Sequence, residues 1–215
     1  MLLEQERSEI VKICGQLSAA GLVVGTAGNV SVRSGDLVAV TPSGADYALL
    51  APKDIGVYHL DGTPAQLVRW APTSELPLHL AIYDAHKYTA AIVHTHPVAA
   101  TAVSTLVDEV PAIHYYVAMF GGSIRVAPYA TYGSDELARN VVAALDGRTG
   151  CLMANHGAVT LGPDLKTAHD RGVYLEWLCD VYLRAAAAGQ PRLLPPAEIT
   201  AVTAKLKYYG QAPSQ

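Results

Sequence analysis

The segment Ala90-Ala91-Ile92-Val93-His94-Thr95-His96-Pro97 reads as a buried β-strand that ends in chemistry. Its apolar run is short and bounded, and Pro97 pushes the residue before it toward extended geometry. Side chains alternate across a strand, so His94 and His96 project from one face, as two ligands of one divalent metal can. A third imidazole is needed. His156 is the best candidate, because Asn155-His156-Gly157 breaks two short strand patterns, Cys151–Ala154 and Ala158–Leu161, where the backbone can turn a side chain into a cavity. Three imidazoles with a fourth position open is a catalytic rather than a structural zinc pattern. The other five histidines, His59, His79, His86, His114 and His169, read as surface or hydrogen-bonded residues.

Working outward, helical spacing marks Ile10 to Ala20, ended by Gly21, and strands flank the Ser34-Gly35 turn over 29–33 and 36–40. Ile55 to Leu60 is a further strand. Helices are expected from Glu75 to about His86, from a Ser134 cap to about Leu145, over Asp164 to Ala188, and from Pro196 to about Tyr208. Ile124 to Ala127 is another strand. Helices and strands alternate, yet tight turns join several strands. The expected architecture is therefore a single α/β domain over residues 1–215 with a mostly antiparallel sheet.

Hydrophobic residues make up 51% and charged residues 16% of the 215, which supplies a core and disfavours disorder. A formal net charge of -4 excludes a basic nucleic-acid footprint as the default reading. No apolar run approaches the ~20 residues of a membrane helix. The first nine residues carry neither an apolar stretch nor a basic leader, and Cys14, Cys151 and Cys179 are too widely spaced for a disulfide framework or a zinc knot. A cytoplasmic protein is expected.

Three turns share another chemistry. Gly25-Thr26-Ala27-Gly28-Asn29 lacks the Lys-Ser/Thr pair of a P-loop and the spacing of a dinucleotide fingerprint, but its amides, Thr26 and Asn29 suit an anion. Thr41-Pro42-Ser43-Gly44 is a second such turn. Thr73-Ser74, at an expected helix start, is a third, where the helix dipole favours phosphate. Glu75 follows directly, either as a first-turn acid or as a general acid/base near a metal.

Taken in order, Gly25–Ser31, Thr41–Gly44, Ser74-Glu75, His94-Thr95-His96, Pro111–Tyr115, Ala127–Thr131 and His156-Gly157 resemble the zinc-dependent class II aldolase/epimerase family along nearly the whole chain. The resemblance implies a three-layer α-β-α fold and Zn²⁺ on His94, His96 and His156, with Glu75 as acid/base able to approach the metal. It implies a phosphate among Gly28, Asn29, Ser43, Gly44, Thr73 and Ser74. It also implies a cyclic homotetramer in which Tyr115 reaches the neighbouring subunit's site, and a role for Tyr209 in the C-terminal tail. The reaction implied is reversible cleavage of a ketose 1-phosphate, such as L-fuculose 1-phosphate or a related deoxysugar phosphate, into dihydroxyacetone phosphate and an aldehyde (L-lactaldehyde for fuculose). Thr73, Ser43 and Leu76 stand where such aldolases carry serine, threonine and tryptophan; the first two keep a hydroxyl, and Leu76 bears on the aldehyde half. The same scaffold serves ribulose-5-phosphate 4-epimerases, which carry aspartate where Glu75 stands, and methylthioribulose-1-phosphate dehydratases. A non-catalytic interaction domain of the adducin-head type would lack the zinc ligands.

Overall fold

In a computed structural model of the protein, which describes residues 1–66 and 68–206, the strand bearing the histidine pair is β5 (Ala91–Thr95), at the centre of a nine-stranded sheet. On one side lie β1 (Asn29–Ser34), β2 (Leu37–Val40), β3 (Gly56–His59) and β4 (Pro64–Gln66) in that order. On the other lie β9 (Gly157–Gly162), β8 (Gly150–Met153), β7 (Ile124–Ala127) and β6 (Glu109–Val110). All neighbours are antiparallel except β7 and β8, so the sheet is mixed and mostly antiparallel, close to the expectation.

Alternation along the strands sorts the core into layers. Ile92, Cys151, Met153, Val159 and Leu161 pack with α2 (Leu76–Ala85) and α4 (Asp135–Ala144). Their neighbours in sequence point the opposite way. Ala91 and Val93 meet α1 (Glu4–Ala19) and the start of α5 (Leu165–Ala188), while Leu152 and Ala158 meet α3 (Val98–Val103) and the middle of α5. Helices thus cover both faces. The last helix, α6 (Pro196–Leu206), packs against the 3₁₀ helix Tyr115–Phe120.

The caps explain the helix starts. Ser134 accepts from Leu137 N–H (3.2 Å) and Asp164 from Thr167 N–H (2.7 Å), each satisfying an otherwise free first-turn amide. Helix α3 has Pro97 as its N-cap, which offers no acceptor side chain, and Glu176 of α5 supplies one instead. Its two carboxylate oxygens accept from Ala99 and Ala100 N–H at 2.8 and 2.7 Å. Sequence patterning did not mark α3, β4 or β6. Glu75 stands at the N-cap of α2, one residue before the helix, rather than inside it. The three cysteines are free and buried, and no described helix is long and apolar enough to cross a membrane.

Candidate metal centre and anion pocket

His94 lies on the α2 side of β5, in phase with Ile92, and is fully buried. His96, two residues on, follows the same phase at the strand's end, where its N–H donates to Leu22 O (3.0 Å). His156 enters from the β8–β9 turn. There Asn155 takes a left-handed φ of 55°, and Gly157 lets β9 run hard against β5, since a Cβ would fall 2.3 Å from Thr95 O. The three rings meet edge to face, with centroids 4.6 to 5.0 Å apart. One nitrogen from each lies within 4.8 Å of the other two. The expected triad is therefore assembled.

Glu75 closes this cluster. Its Oε2 is 3.0 Å from His94 Nε2, and its Oε1 is 3.6 Å from His156 Nε2. Burial alone would raise this carboxyl; His94 above all, with Asn29 and His156, outweighs burial and holds it well below its ordinary range. Burial and the adjoining rings push His96 down to about 3 and His156 down to about 4, leaving neutral imidazoles.

The donor set fits a divalent cation. His94 Nδ1 faces the Ala158 carbonyl (2.9 Å), which only accepts, so Nδ1 carries a proton and Nε2 is the nitrogen turned into the cluster; burial works against a second proton on this ring, but the Glu75 carboxylate outweighs it and makes the ring more basic than usual. That Nε2 confronts His96 Nε2 at 2.8 Å, and Glu75 Oε1 is buried without a hydrogen-bond partner. Imidazole nitrogens converging beside a carboxylate that has one unpartnered oxygen and makes the nearest ring more basic call for positive charge among them, as a bound cation supplies. Ligands of one tetrahedral ion at ~2.0–2.1 Å lie about 3.3–3.4 Å apart, the scale of this cluster.

Beside the histidines opens a cleft whose lining includes all six residues expected to bind phosphate: Gly28, Asn29, Ser43, Gly44, Thr73 and Ser74. Backbone pairing draws the three turns together. Thr41 exchanges bonds with Val30, its carbonyl accepts from Thr73 N–H, and Ser43 N–H donates to Ala71 O. Gly28, at a φ of +92°, brings the first turn against β5, where a Cβ would meet His94 O at 2.9 Å. Among the described residues no lysine or arginine lines the cleft, so the attraction they offer an anion comes from neutral amides and hydroxyls. Helix α2 contributes less than expected at its N-terminus. Its first amide, Leu76 N–H, is taken by Thr73 O, and its second residue is Pro77.

Other expectations fall away from the cleft. Tyr115 is exposed on the 3₁₀ helix and does not line it. It stands among His114, Tyr116, Tyr174 and Trp177, an aromatic group at the surface. Leu76 packs with Val40 and Tyr58 and is not among the residues that line the cleft. Tyr209 lies outside the described residues. Conversely, Tyr129, Tyr132 and Asn155 line the cleft, although no site role was expected of them.

His79 is buried and hydrogen-bonded, one of the two states expected of it, but its link to the site through Asn29, and that of buried Ser31, was not read from the sequence. A signal existed for each: Ser31 is two residues from Asn29 on a strand, and His79 is four from Glu75 at a helix start.

A family model described as Class II Aldolase and Adducin N-terminal domain matches residues 8–183. A 5-deoxy-D-ribulose 1-phosphate aldolase of Bacillus thuringiensis serovar kurstaki is 36% identical over 213 residues, covering 98% of this chain and 100% of that protein. A 5-methylthioribulose-1-phosphate/5-deoxyribulose-1-phosphate aldolase of Rhodospirillum rubrum is 39% identical over 209 residues, 95% of this chain and 92% of its own. Among solved structures, an L-fuculose 1-phosphate aldolase matches with a TM-score of 0.92 at 35% identity, covering 94% of this chain and 96% of that one.

Proposed function

Since the chain belongs to the class II aldolase family and is a metal-dependent aldolase, we propose that it reversibly cleaves a deoxyketose 1-phosphate into dihydroxyacetone phosphate and an aldehyde. L-fuculose 1-phosphate and 5-deoxypentulose 1-phosphates are the substrates in view. One observation carries this reading: a three-imidazole, one-carboxylate cluster adjoins a cleft whose described lining offers hydroxyls and amides and no lysine or arginine.

His94, His96 and His156 hold the metal in this reading, with Zn²⁺ the ion their donor set suits best. When bound, it supplies Lewis acidity toward the substrate's carbonyl and hydroxyl oxygens. Asn29, Ser43, Thr73 and Ser74, with the backbone at Gly28 and Gly44, orient the phosphate by neutral donors. They set no second positive charge in competition for the electron pair left at C3. As the C3–C4 bond breaks, the C4 hydroxyl gives up its proton and becomes the aldehyde. Tyr115 takes that proton and passes it to water, while Glu75, ionised among the imidazoles at rest and protonated from water when substrate is bound, delivers one to C3 to complete dihydroxyacetone phosphate, so one proton leaves and one is supplied.

Tyr115 does not line the cleft of its own chain, and in this reading, as the family resemblance implies, it acts on the site of a second copy. Its exposed aromatic surroundings are suited to burial between subunits of a cytoplasmic cyclic homotetramer in which residues 1–215 form one domain. Tyr209 is assigned a supporting catalytic role in the C-terminal tail.

The test is to incubate the zinc-loaded protein with L-fuculose 1-phosphate and with 5-deoxyribulose 1-phosphate and to identify products. Dihydroxyacetone phosphate plus L-lactaldehyde or acetaldehyde is the expected result. An epimer or a diketone phosphate as sole product overturns the reading.

A further inference from the structure

Behind Glu75 a file of buried polar groups runs from the cleft into the α2 layer. Asn29 Nδ2 lies 2.8 Å from Glu75 Oε2, and His79 Nε2 lies 2.5 Å from Asn29 Oδ1. Ser31 Oγ is 2.6 Å from His79 Nδ1 and 2.8 Å from the Tyr83 hydroxyl. One charge fixes the sense of every bond. A carboxylate only accepts, so Asn29 must turn its NH₂ to Glu75 and its carbonyl to His79. A carbonyl also only accepts, so His79 carries its proton on Nε2. Its Nδ1 is then the acceptor for the Ser31 hydroxyl, whose oxygen in turn accepts from Tyr83. The file is directional, and His79, wholly buried, is the link that reads the Asn29 carboxamide.

We propose that His79 is a positioning residue for the aldolase reaction: as the Nε2–H tautomer it locks the Asn29 carboxamide with its NH₂ toward Glu75 and its oxygen turned away. Without that lock the amide is free to flip, setting an oxygen against the Glu75 carboxylate and altering the donors offered to the phosphate. The role rests on the reading of Glu75 as the group that moves the C3 proton, and it acts entirely through Asn29.

His79→Leu keeps volume and removes both bonds, whereas His79→Gln keeps one donor and one acceptor. His79→Leu is expected to retain its metal and lose about tenfold or more in kcat, with Gln recovering most of it. On an Asn29→Ala background, His79→Leu should add less than about twofold, because the residue it acts through is gone. Losses that multiply on that background, or a Gln variant as slow as Leu, overturn the proposal. Should His79→Leu fail to fold, Ser31→Ala, which removes the donor to Nδ1 together with the acceptor for the Tyr83 hydroxyl, takes its place in the same cycle, and losses that multiply on the Asn29→Ala background again overturn the proposal. A histidine ¹H–¹⁵N spectrum of the wild-type protein, taken without substrate, should show His79 as the Nε2–H tautomer. An Nδ1–H tautomer or a doubly protonated ring also overturns it. If the wild-type protein cleaves no ketose 1-phosphate, the functional reading fails separately, while the spectrum still decides the state of His79.

Discussion

Replacing Glu176 by alanine tests how the turn after His96 is held. Helix α3 is six residues long and begins at a proline, so its Ala99 and Ala100 amides depend on the Glu176 carboxylate at 2.8 and 2.7 Å. A hydrogen bond to a charged acceptor is worth ~1.5–3 kcal/mol, and losing an N-cap ordinarily costs ~0.5–2 kcal/mol. The site is half-buried and water can reach part of it, so we expect a loss of about 2–4 kcal/mol for Glu176→Ala. At ~2–4 °C per kcal/mol for a chain of this size, the midpoint should fall by about 4–16 °C. Glu176→Gln keeps one acceptor oxygen and should fall roughly half as far. Because the turn follows directly on His96, zinc affinity should drop about 10-fold in the alanine variant. Thermal scans of metal-loaded and metal-free protein, with competition against a chelating dye, read both quantities. An alanine variant within ~0.5 kcal/mol of wild type, the range of ordinary surface changes, would refute the capping role.

Alanine at His94, His96 or His156 should remove metal and activity together; an inactive variant that still binds a full equivalent of metal removes that residue from the donor set. Glu75→Gln should keep metal but slow solvent exchange of the C3 proton of dihydroxyacetone phosphate by ~10²-fold or more, and exchange at the wild-type rate rejects the acid/base assignment. Tyr115→Phe should slow carbon–carbon cleavage more than that exchange. Mixing it with inactive His94→Ala subunits should restore some activity, and a mixture that stays inactive argues against a site shared between copies.

Much of the architecture was legible because it is local. The bounded apolar run of Ala91–Thr95, the proline after His96 and the Ser134 cap are each written within a few residues. The two-residue β6 and three-residue β4 are too short to show a period. Helix α3 is short and has its cap 70-odd residues downstream in the chain, on Glu176. The metal triad was readable in two parts, since His94 and His96 share a strand, whereas His156 needed the β5–β9 pairing to come close. The anion cleft was legible turn by turn, but its assembly depends on Thr41 bonding to both Val30 and Thr73, which no local pattern encodes. The link of His79 to the site was hidden for a related reason: it lies on α2, and its partners Asn29 and Ser31 come from β1.

Asn29 sits directly across from His94 in the β1–β5 ladder, and His94 directly across from Val159 in the β5–β9 ladder. Sliding either pairing by a single residue would swing every side chain it carries to the opposite layer. Catalytic competence in this protein is thus an all-or-nothing property of strand alignment. A one-residue insertion inside β1 or β5 would silence it outright, whereas lengthening the exposed bend at Asp61-Gly62, far along the sheet, would leave the alignment untouched.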